Sequence, residues 1–400
     1  MSEELLYLVH RIPYPPNKGD KIRSHHLLKA LCDRYTVHVG AFVDDPDDWR
    51  HADALKQMVT GETFLLPLNP KWARVRSLRG LLTGEALTFP YLRDGRMRAW
   101  VDQRMASGNI TRGVVYSSGM AQYLSPYDTI RRIIDFVDAD SDKWAQYALG
   151  LSGPMRWLYR REALSLADGE RAIAERFDAS YVTTRPEADL LRLIAPLAAM
   201  KIDYYENGVN QDFFDPERDY PRVDGMGPEA LVFTGAMDYW PNVQAVQWFV
   251  ENCFAAIRGA RPDAQFFIVG ANPTAEVSAL EAQAGVIVTG RVEDVRPYVA
   301  HAAAAVATLR IARGIQNKVL EAMAMGKAVL ATPPAMEGAR RLPGLERWIS
   351  DDPAKLSAAA IELLAAPSLA EEAGRIGRET VKQFYNWETN LNRILREVTA

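Results

Sequence analysis

Residues 313–332 read RGIQNKVLEAMAMGKAVLAT, and they follow an apolar run, AAVATL (304–309), that predicts a buried strand. The chain then passes through a glycine-containing loop into a helix and a second apolar run, which is the strand–helix–strand unit of a parallel sheet. The helix N terminus presents free N–H groups and the positive end of its dipole, so it suits a diphosphate. Lys318 in the first turn adds a cation, and Glu321 one turn further can accept both vicinal hydroxyls of a ribose.

The alternative interpretation of Lys318 and Glu321 is a solvated helix face. It is disfavoured because apolar residues surround the two side chains, namely Val319, Leu320, Met323 and Met325. We therefore predict a phosphate-binding segment whose loop and helix start consist of Gly314, Ile315, Gln316 and Asn317.

Short apolar runs alternate with helical stretches along the whole chain, which predicts an α/β fold built on parallel sheets. A first series of strands is LLYLV (5–9), TVHVGAF (36–42), GVVYSS (113–118), RIIDFV (132–137) and ASYVTT (179–184). A second series is ALVFTGAM (230–237), AQFFIVGA (264–271), GVIVTG (285–290), AAVATL (304–309) and AVLAT (328–332). We predict two Rossmann-like domains, 1–203 and 204–382, whose sheets face a central cleft, and a terminal helix, 383–400, that crosses back to the first domain.

Composition excludes several classes of protein. The chain has 400 residues, of which 48% are hydrophobic, and this excludes a disordered or collagen-like protein. A net charge of −4 argues against a nucleic-acid partner. Cys32 and Cys253 are too few for a disulfide framework or a structural zinc site. Without a basic, apolar leader or a long apolar run, we expect a cytoplasmic protein.

The segment around Glu321 resembles the glycosyltransferase family 4 enzymes of the GT-B type. Their hallmark is a pair of glutamates, and Glu321-Ala-Met-Ala-Met-Gly-Lys-Ala-Val matches the second glutamate and the small, apolar helix after it. Arg313, eight positions before Glu321, stands where the first glutamate is expected. In the family that glutamate holds hydroxyls of the donor sugar, so Arg313 points instead to a uronic-type donor or to a phosphate contact.

Other segments resemble the same family in the same order. Glu206-Asn-Gly-Val-Asn210 resembles the interdomain hinge, and Phe384-Tyr-Asn-Trp-Glu388 the start of the closing helix. Phe233-Thr-Gly-Ala-Met-Asp-Tyr-Trp-Pro-Asn242 resembles the first strand and phosphate loop of the second domain, although it lacks the basic pair of the common variant. The resemblance implies that the nucleotide sugar is bound by Gly235, Asn242, Gly270, Arg291 and Val292, together with Gly314, Ile315, Gln316 and Asn317.

The N-terminal segment Pro13-Tyr-Pro-Pro-Asn-Lys-Gly-Asp-Lys-Ile-Arg23 follows the first strand and opens the first helix. With Ile134-Asp-Phe-Val-Asp-Ala-Asp-Ser-Asp-Lys-Trp144 it resembles a narrower branch, the sugar transferases of exopolysaccharide and PEP-CTERM (exosortase) systems. Gly19 permits close backbone approach, and we expect cations here to reach a pyrophosphate. The residues assigned to this contact are Lys18, Gly19, Asp20, Lys21 and Arg23; a turn with a solvated helix start is the alternative.

Asp138 follows the strand RIIDFV, near the place where GT-B relatives carry a histidine close to the reacting sugar. We therefore expect Asp138 to contact the donor or the acceptor hydroxyl, and we assign the catalytic role to Asp138, Glu321, Lys318 and Arg313. Asp138-Ala-Asp140 also matches the metal-binding Asp-x-Asp of the GT-A fold. A third interpretation, favoured for Asp140 and Asp142, is that they cap the following helix.

Two stretches of the first domain, 71–82 and 155–161, combine basic and aromatic residues. Trp72, Val75, Leu78 and Leu82 recur at helical spacing beside four cations. Such a surface can rest on an anionic membrane and reach a lipid-linked acceptor. A packed helix with a solvated basic edge is the alternative.

The resemblance implies a hexosyl transferase that moves sugar from a nucleoside diphosphate donor to a glycan or polyprenyl-linked acceptor with retention of configuration. It implies neither a metal nor a cofactor beyond the donor. We expect a role in exopolysaccharide synthesis and a position in the cytoplasm, with contact to the inner face of the membrane. Two alternatives remain, a GT-B nucleotide-sugar epimerase and a non-catalytic sugar-nucleotide-binding scaffold.

Overall fold

The computed structural model describes residues 3–16, 19–312 and 315–400. The chain forms two compact units, one made of Met1–Glu206 with Glu388–Ala400 and the other of Asn207–Trp387. Each unit has its own hydrophobic core around its own sheet.

The first unit contains a seven-stranded sheet in the order β3-β2-β1-β4-β5-β6-β7, in which every pair of neighbours is parallel. Its strands are β1 (Glu4–Val9), β2 (Thr36–Val43), β3 (Thr63–Pro67), β4 (Ile110–Tyr116), β5 (Arg131–Val137), β6 (Ala179–Val182) and β7 (Ile202–Tyr204). Its helices are α1 (Gly19–Cys32), α2 (Ala52–Met58), α3 (Pro70–Ser77), α4 (Arg79–Thr83), α5 (Thr88–Tyr91), α6 (Gly95–Ala106), α7 (Asp140–Leu149), α8 (Gly153–Arg176) and α9 (Arg185–Ile194).

The second unit contains a five-stranded parallel sheet in the order β10-β9-β8-β11-β12. Its strands are β8 (Ala230–Thr234), β9 (Gln265–Val269), β10 (Val286–Gly290), β11 (Ala304–Ala307) and β12 (Ala328–Ala331). Its helices are α10 (Trp240–Phe249), α11 (Ala255–Ala260), α12 (Ala275–Ser278), α13 (Arg296–His301), α14 (Asn317–Ala324), α15 (Pro353–Ala365) and α16 (Pro367–Phe384).

The terminal helix α17 (Trp387–Thr399) leaves the second unit and packs on the first from Glu388 onward. Its last carbonyls accept hydrogen bonds from the sheet, with Arg112 Nε 2.6 Å from the Val398 oxygen and Arg131 Nε 2.6 Å from the Glu397 oxygen. Arginine at a helix C terminus satisfies carbonyls that have no partner within the helix. The chain therefore crosses from one unit to the other twice, at 206/207 and at 387/388.

Most strand residues are apolar and buried, as expected for parallel sheets whose two faces are covered by helices. Residues 5–8 of β1, for example, are completely buried. This confirms the predicted fold class, two Rossmann-like domains built on parallel sheets. The edge strands β3 and β7 were not predicted, because β3 carries a proline and β7 has only three residues. In the described part of the chain, no helix combines the length and the apolar character needed to cross a membrane.

Candidate functional site

The candidate donor site lies in the second unit, at the point where its strand order reverses. Strands β8 and β11 are neighbours, but the chain leaves them toward opposite ends of the sheet. Open α/β sheets bind ligands in the crevice that such a reversal leaves at the carboxyl ends of the strands. Gly235 directly follows β8 at this edge, and the segment leading to α14 follows β11.

Lys318 projects from the first turn of α14 into this crevice. Its Nζ lies 2.5 Å from Asn242 Oδ1 and 4.1 Å from the centroid of the buried Phe233 ring. Asn242 is itself held by its Nδ2, which donates to the Ala236 carbonyl at 2.8 Å. Burial lowers the pKa of Lys318 to about 7, although Glu321 opposes the shift. The ammonium thus lacks enough compensating charge in the unliganded protein, which makes it ready to receive an anion.

Gly235 leaves open the space in front of Lys318 and Asn242. A Cβ at this position would lie 2.7 Å from Asn242 Nδ2 and 3.1 Å from Lys318 Nζ. Gly270, which follows the neighbouring strand β9, packs so closely on Gly235 that its Cβ would overlap the Gly235 carbonyl oxygen. The predicted residues Gly235, Asn242, Gly270 and Lys318 are therefore brought together, with two glycines that let backbone and side chains approach closely.

Glu321 lies one turn beyond Lys318 on α14 and is partly buried. Its carboxylate accepts no hydrogen bond from any residue that the structure describes. Burial raises the pKa of Glu321 to about 7, against the opposing effect of Lys318. A carboxylate with free acceptor capacity in an apolar surround suits a neutral donor such as a hydroxyl pair.

The start of α14 is tied to the segment that joins the two units. Asn207 Nδ2 donates to Asn317 Oδ1 at 3.2 Å, so the first residue of the helix is held by the first residue of the second unit. Ile315 is buried and Gln316 is the N-cap residue, without a side-chain cap. Arg313 and Gly314 lie outside the described residues, so the predicted roles of both remain predictions.

Arg291 and Val292 follow β10, one strand further toward the edge of the sheet. Arg291 is exposed, whereas Val292 packs partly against the core. The Gly270 amide donates to the Gly290 carbonyl at 3.1 Å, which brings the ends of β9 and β10 together. No described contact joins Arg291 or Val292 to Lys318, and their role in binding stays a prediction.

In the first unit the structure contradicts the expectation that Lys21 and Arg23 reach a ligand. Arg23 is completely buried, and its Nε donates to Asp135 Oδ2 at 2.8 Å. It also donates to the Tyr205 carbonyl at 2.8 Å. Lys21 is equally buried and lies 2.5 Å from Asp48 Oδ2. Both cations neutralise buried carboxylates of the same unit, because an unpaired buried charge is costly.

Of the other residues assigned to the N-terminal segment, Gly19 is the exposed first residue of α1. The side chain of Asp20 and the whole of Lys18 lie outside the described part of the chain. The expected glycine contact is therefore compatible with the structure, whereas Lys21 and Arg23 have structural partners.

Asp138 lies in a strained loop between β5 and α7. Val137, directly before it, has a positive φ of 75°, which is rare and costly for a β-branched residue. Burial raises the pKa of Asp138, although Lys143 opposes the shift. The carboxylate accepts no hydrogen bond within the described residues, so it is free to contact a substrate. Backbone strain maintained by surrounding structure is common at functional sites.

Two buried glutamates hold this loop. Glu187 of α9 accepts the Ala139 amide at 2.7 Å, and Glu170 of α8 accepts the Ser141 amide at 3.1 Å and its hydroxyl at 2.5 Å. The expected capping of α7 by Asp140 and Asp142 is wrong, since neither carboxylate caps the helix. Glutamates distant in sequence bind the amides instead, and they fix the backbone on both sides of Asp140. Among the described residues no group of three or more His, Cys, Asp and Glu side chains is placed to hold a metal ion.

Glu170 gives a pH-dependent prediction. Burial raises its pKa to about 8 although Ser141 donates two hydrogen bonds to it. Because the folded pKa exceeds the unfolded value, this group stabilises the fold fully below about pH 4.5, and the contribution is lost as pH rises through about 8. We expect Glu170→Gln, which removes the titration, to gain stability relative to wild type as pH rises from 5 to 9, by roughly 5 °C in melting temperature.

Melting curves at several pH values measure this difference. Asp168→Asn, on an exposed carboxylate one half-turn earlier on α8, is the matched control and should not change the pH profile. A constant difference between Glu170→Gln and wild type across the pH range would mean that Glu170 stays ionised in the folded chain.

Several residues of the site were not predicted from the sequence. Phe233 was assigned only to a strand, yet its ring lies under the Lys318 ammonium. Glu170 lies in a helix with no local motif, and only the fold brings it to the Asp138 loop. A buried charge in the apolar run RIIDFV was the available signal for the Arg23–Asp135 pair, because such a charge requires a partner.

The whole chain is similar in fold to solved structures, and part of its second unit matches a protein family. The fold is GT-B, shared over nearly the full length with solved structures that include two glycosyltransferases. The structure of Anabaena Alr3699/HepE in complex with UDP-glucose has a TM-score of 0.67 and 13% identity over 99% of each chain. WaaG, a glycosyltransferase involved in lipopolysaccharide biosynthesis, has a TM-score of 0.66 and 14% identity over 99% of this chain and 100% of that one. A glycosyltransferase from Rickettsia africae ESF-5 has a TM-score of 0.62 and 11% identity over 100% of this chain and 98% of that one.

Within the second unit, residues 228–366 match the family described as "Glycosyl transferases group 1". The matched region includes Gly235, Asn242, Lys318 and Glu321. No curated protein sequence matches the chain significantly. The family match and the fold together support a GT-B glycosyltransferase, whereas the low identities to solved structures establish the fold alone.

Proposed function

We propose that the chain is a retaining, metal-independent glycosyltransferase that takes a hexosyl group from a nucleoside diphosphate sugar. The observation that carries the proposal is that the group 1 family match contains the Lys318–Asn242–Glu321 site at the strand reversal of the second sheet. Lys318 and the free amides at the start of α14 would stabilise the diphosphate, both bound and leaving. Glu321 would accept the ribose hydroxyls.

A uridine nucleotide is the first donor to examine, because the similar structure of Alr3699/HepE contains UDP-glucose. The acceptor we propose is a growing glycan or a polyprenyl-linked sugar of exopolysaccharide synthesis, presented at the inner face of the membrane. Asp138, in its strained loop, would contact the reacting sugar or the acceptor hydroxyl. Arg313 would then contact the donor where the family has a glutamate.

A panel of UDP, GDP, ADP and their sugars tests this function by thermal shift and by donor turnover, each with and without EDTA. A ligand at 100 times its dissociation constant adds about 2.7 kcal/mol of stability. We expect one nucleotide to stabilise wild type but not Glu321→Ala, without an effect of EDTA. Turnover only with acceptor identifies a transferase, and turnover without acceptor an epimerase or hydrolase. Binding without turnover identifies a scaffold, and the absence of any shift contradicts donor binding altogether.

Donor affinity should rise with pH below about pH 7 and fall with pH above it. Lys318 and Glu321 both have a pKa near 7 in the free protein. A bound diphosphate favours the ammonium and bound hydroxyls favour the carboxylate, so binding takes up a proton above pH 7 and releases one below it. Affinity should therefore peak near pH 7 and fall roughly tenfold per pH unit at most on either side.

Titration calorimetry in buffers of different ionisation enthalpy measures this proton exchange. The intact nucleotide sugar is the appropriate ligand, because its diphosphate diester does not titrate in this range. Lys318→Met should lose the alkaline fall in affinity, and Glu321→Gln the acidic one. Equal proton exchange in wild type and both variants would assign the titration to other groups.

Asp138→Asn should lower transfer by about two to four orders of magnitude while leaving nucleotide affinity within about twofold. The physical reason is that the amide keeps the shape of the carboxylate but cannot accept a proton or carry charge toward the reacting sugar. Steady-state transfer kinetics and nucleotide titrations measure the two effects separately. Asp142→Asn, on the first turn of α7, is the control, and an equal loss of activity there would reduce Asp138 to a structural role.

A further inference from the structure

Exposed apolar side chains and cations cover one face of the first unit. Trp72 in α3 is 72% exposed, Leu82 in α4 is 91% exposed, and in α8 Trp157 is 62% and Leu164 70% exposed. Singly exposed apolar side chains are ordinary on a protein surface, whereas a contiguous apolar patch marks an interaction site.

These helices form one continuous surface. Arg161 of α8 donates through Nη2 to the Glu85 carbonyl at 2.9 Å and to the Gly80 carbonyl, so it fastens α8 to the end of α4. Trp157 and Leu164 lie four residues before and three residues after Arg161, which places them on the same face of α8. We call the exposed residues of 70–84 and of 143–164 the tip surface.

The charge of the tip surface has one sign. Residues 70–84 and 143–164 contain eight Lys or Arg against a single acid, the buried Glu162, although the whole chain carries −4. Five of these cations are exposed and form no ion pair in the described part of the chain, namely Lys71, Arg74, Arg79, Arg156 and Arg160. The adjoining acids are already engaged, because Glu85 pairs with Arg93 and Glu162 accepts the Leu87 and Thr88 amides.

The tip surface also lies at the functional edge of its sheet. Helix α3 begins three residues after β3 ends, and α7 begins three residues after β5 ends, so both start at the carboxyl edge. Helix α8 returns to the amino edge, where β6 begins at Ala179. With 24 residues it is about 36 Å long, against about 23 Å for the seven-residue strand β5, so its first turns extend past the carboxyl edge. Asp138 follows β5 at that edge.

We propose that the tip surface docks the protein on an anionic phospholipid bilayer. Tryptophan and leucine enter the headgroup boundary, and the surrounding cations attract acidic lipids. A second copy of the chain fits less well, because a symmetric contact would set identical cation clusters against each other. If the proposed function holds, docking brings the carboxyl edge with Asp138 to the plane in which a lipid-linked acceptor lies.

Flotation of the full chain with vesicles tests the proposal, and it needs no donor or activity. The vesicles contain phosphatidylcholine alone or phosphatidylcholine mixed with phosphatidylglycerol, at low and high salt. We expect binding only to the anionic vesicles, weakened by salt. Two variants, Trp72→Ser/Leu82→Ser/Trp157→Ser and Lys71→Glu/Arg74→Glu/Arg160→Glu, should each lose at least about tenfold in partitioning.

Leu193→Ser is the matched control, because Leu193 is 81% exposed in the same unit but lies beside the paired Arg192 and Asp189. It should bind as wild type does. All substituted side chains are exposed, and circular dichroism verifies that the variants fold. The proposal is overturned if wild type does not bind the anionic vesicles, or if both triple variants bind them as well as wild type does. It is also overturned if wild type self-associates without lipid and the triple variants do not. Loss of donor turnover alone would not affect it.

Discussion

Replacing Lys318 by methionine should lower sugar transfer by about two to three orders of magnitude, the loss typical of removing one preorganised charge from a leaving group. The methionine keeps an apolar stem over the Phe233 ring, while Asn242 Oδ1 loses its cationic donor. The unliganded fold should lose little stability, because burial already disfavours the ammonium. The variant should therefore melt like wild type without ligand and lose the nucleotide-induced shift.

Lys327→Met provides the matched control. Lys327 lies just beyond the other end of α14, and burial lowers its pKa as well, with Glu371 opposing the shift. It is outside the crevice, so its loss should leave nucleotide affinity within about twofold. Steady-state kinetics and calorimetry on both variants decide the question. Equal losses in the two would mean that net charge of the unit matters and that Lys318 has no specific role.

Replacing Arg23 by methionine should destabilise the first unit by about 3–5 kcal/mol, the range found when one partner of a buried ion pair is removed. Asp135 would remain completely buried without its cation, and the Tyr205 carbonyl would lose its 2.8 Å donor. Urea unfolding followed by circular dichroism measures the effect. Because the chain has two units, the transition of the first unit is the relevant one.

A second substitution distinguishes a lost ion pair from a packing defect. Arg23→Met/Asp135→Leu removes both charges and should recover part of the stability, since a buried pair can be replaced by apolar residues at little cost. Arg375→Met, which breaks an exposed pair with Glu379, should cost less than about 1 kcal/mol. If the double variant were less stable than Arg23→Met alone, the shape of the arginine would matter more than its charge.

The sequence permitted the grouping of Lys318 with Gly235 and Asn242 to be predicted because each lies in a short local segment, whereas their role in donor binding stays a prediction. The strand ending near Leu309, the loop and the Lys318–Glu321 spacing lie within one short segment, and helical periodicity places both side chains on one face. Gly235 and Asn242 follow the first strand of the same domain, so a resemblance in order was enough to assign them. The alternation of apolar runs likewise determined the two-sheet fold.

The partners of the N-terminal cations Lys21 and Arg23 are determined only by the tertiary structure. Lys21 meets Asp48, which is 27 positions away, and Arg23 meets Asp135, which is 112 positions away. The loop of Asp138 is held in the same manner, by glutamates of α8 and α9. The local sequence shows that a helix carries a charge. Whether that charge faces a ligand or a buried carboxylate depends on which distant segment packs against the helix, and this is determined only by the packing of the whole sheet.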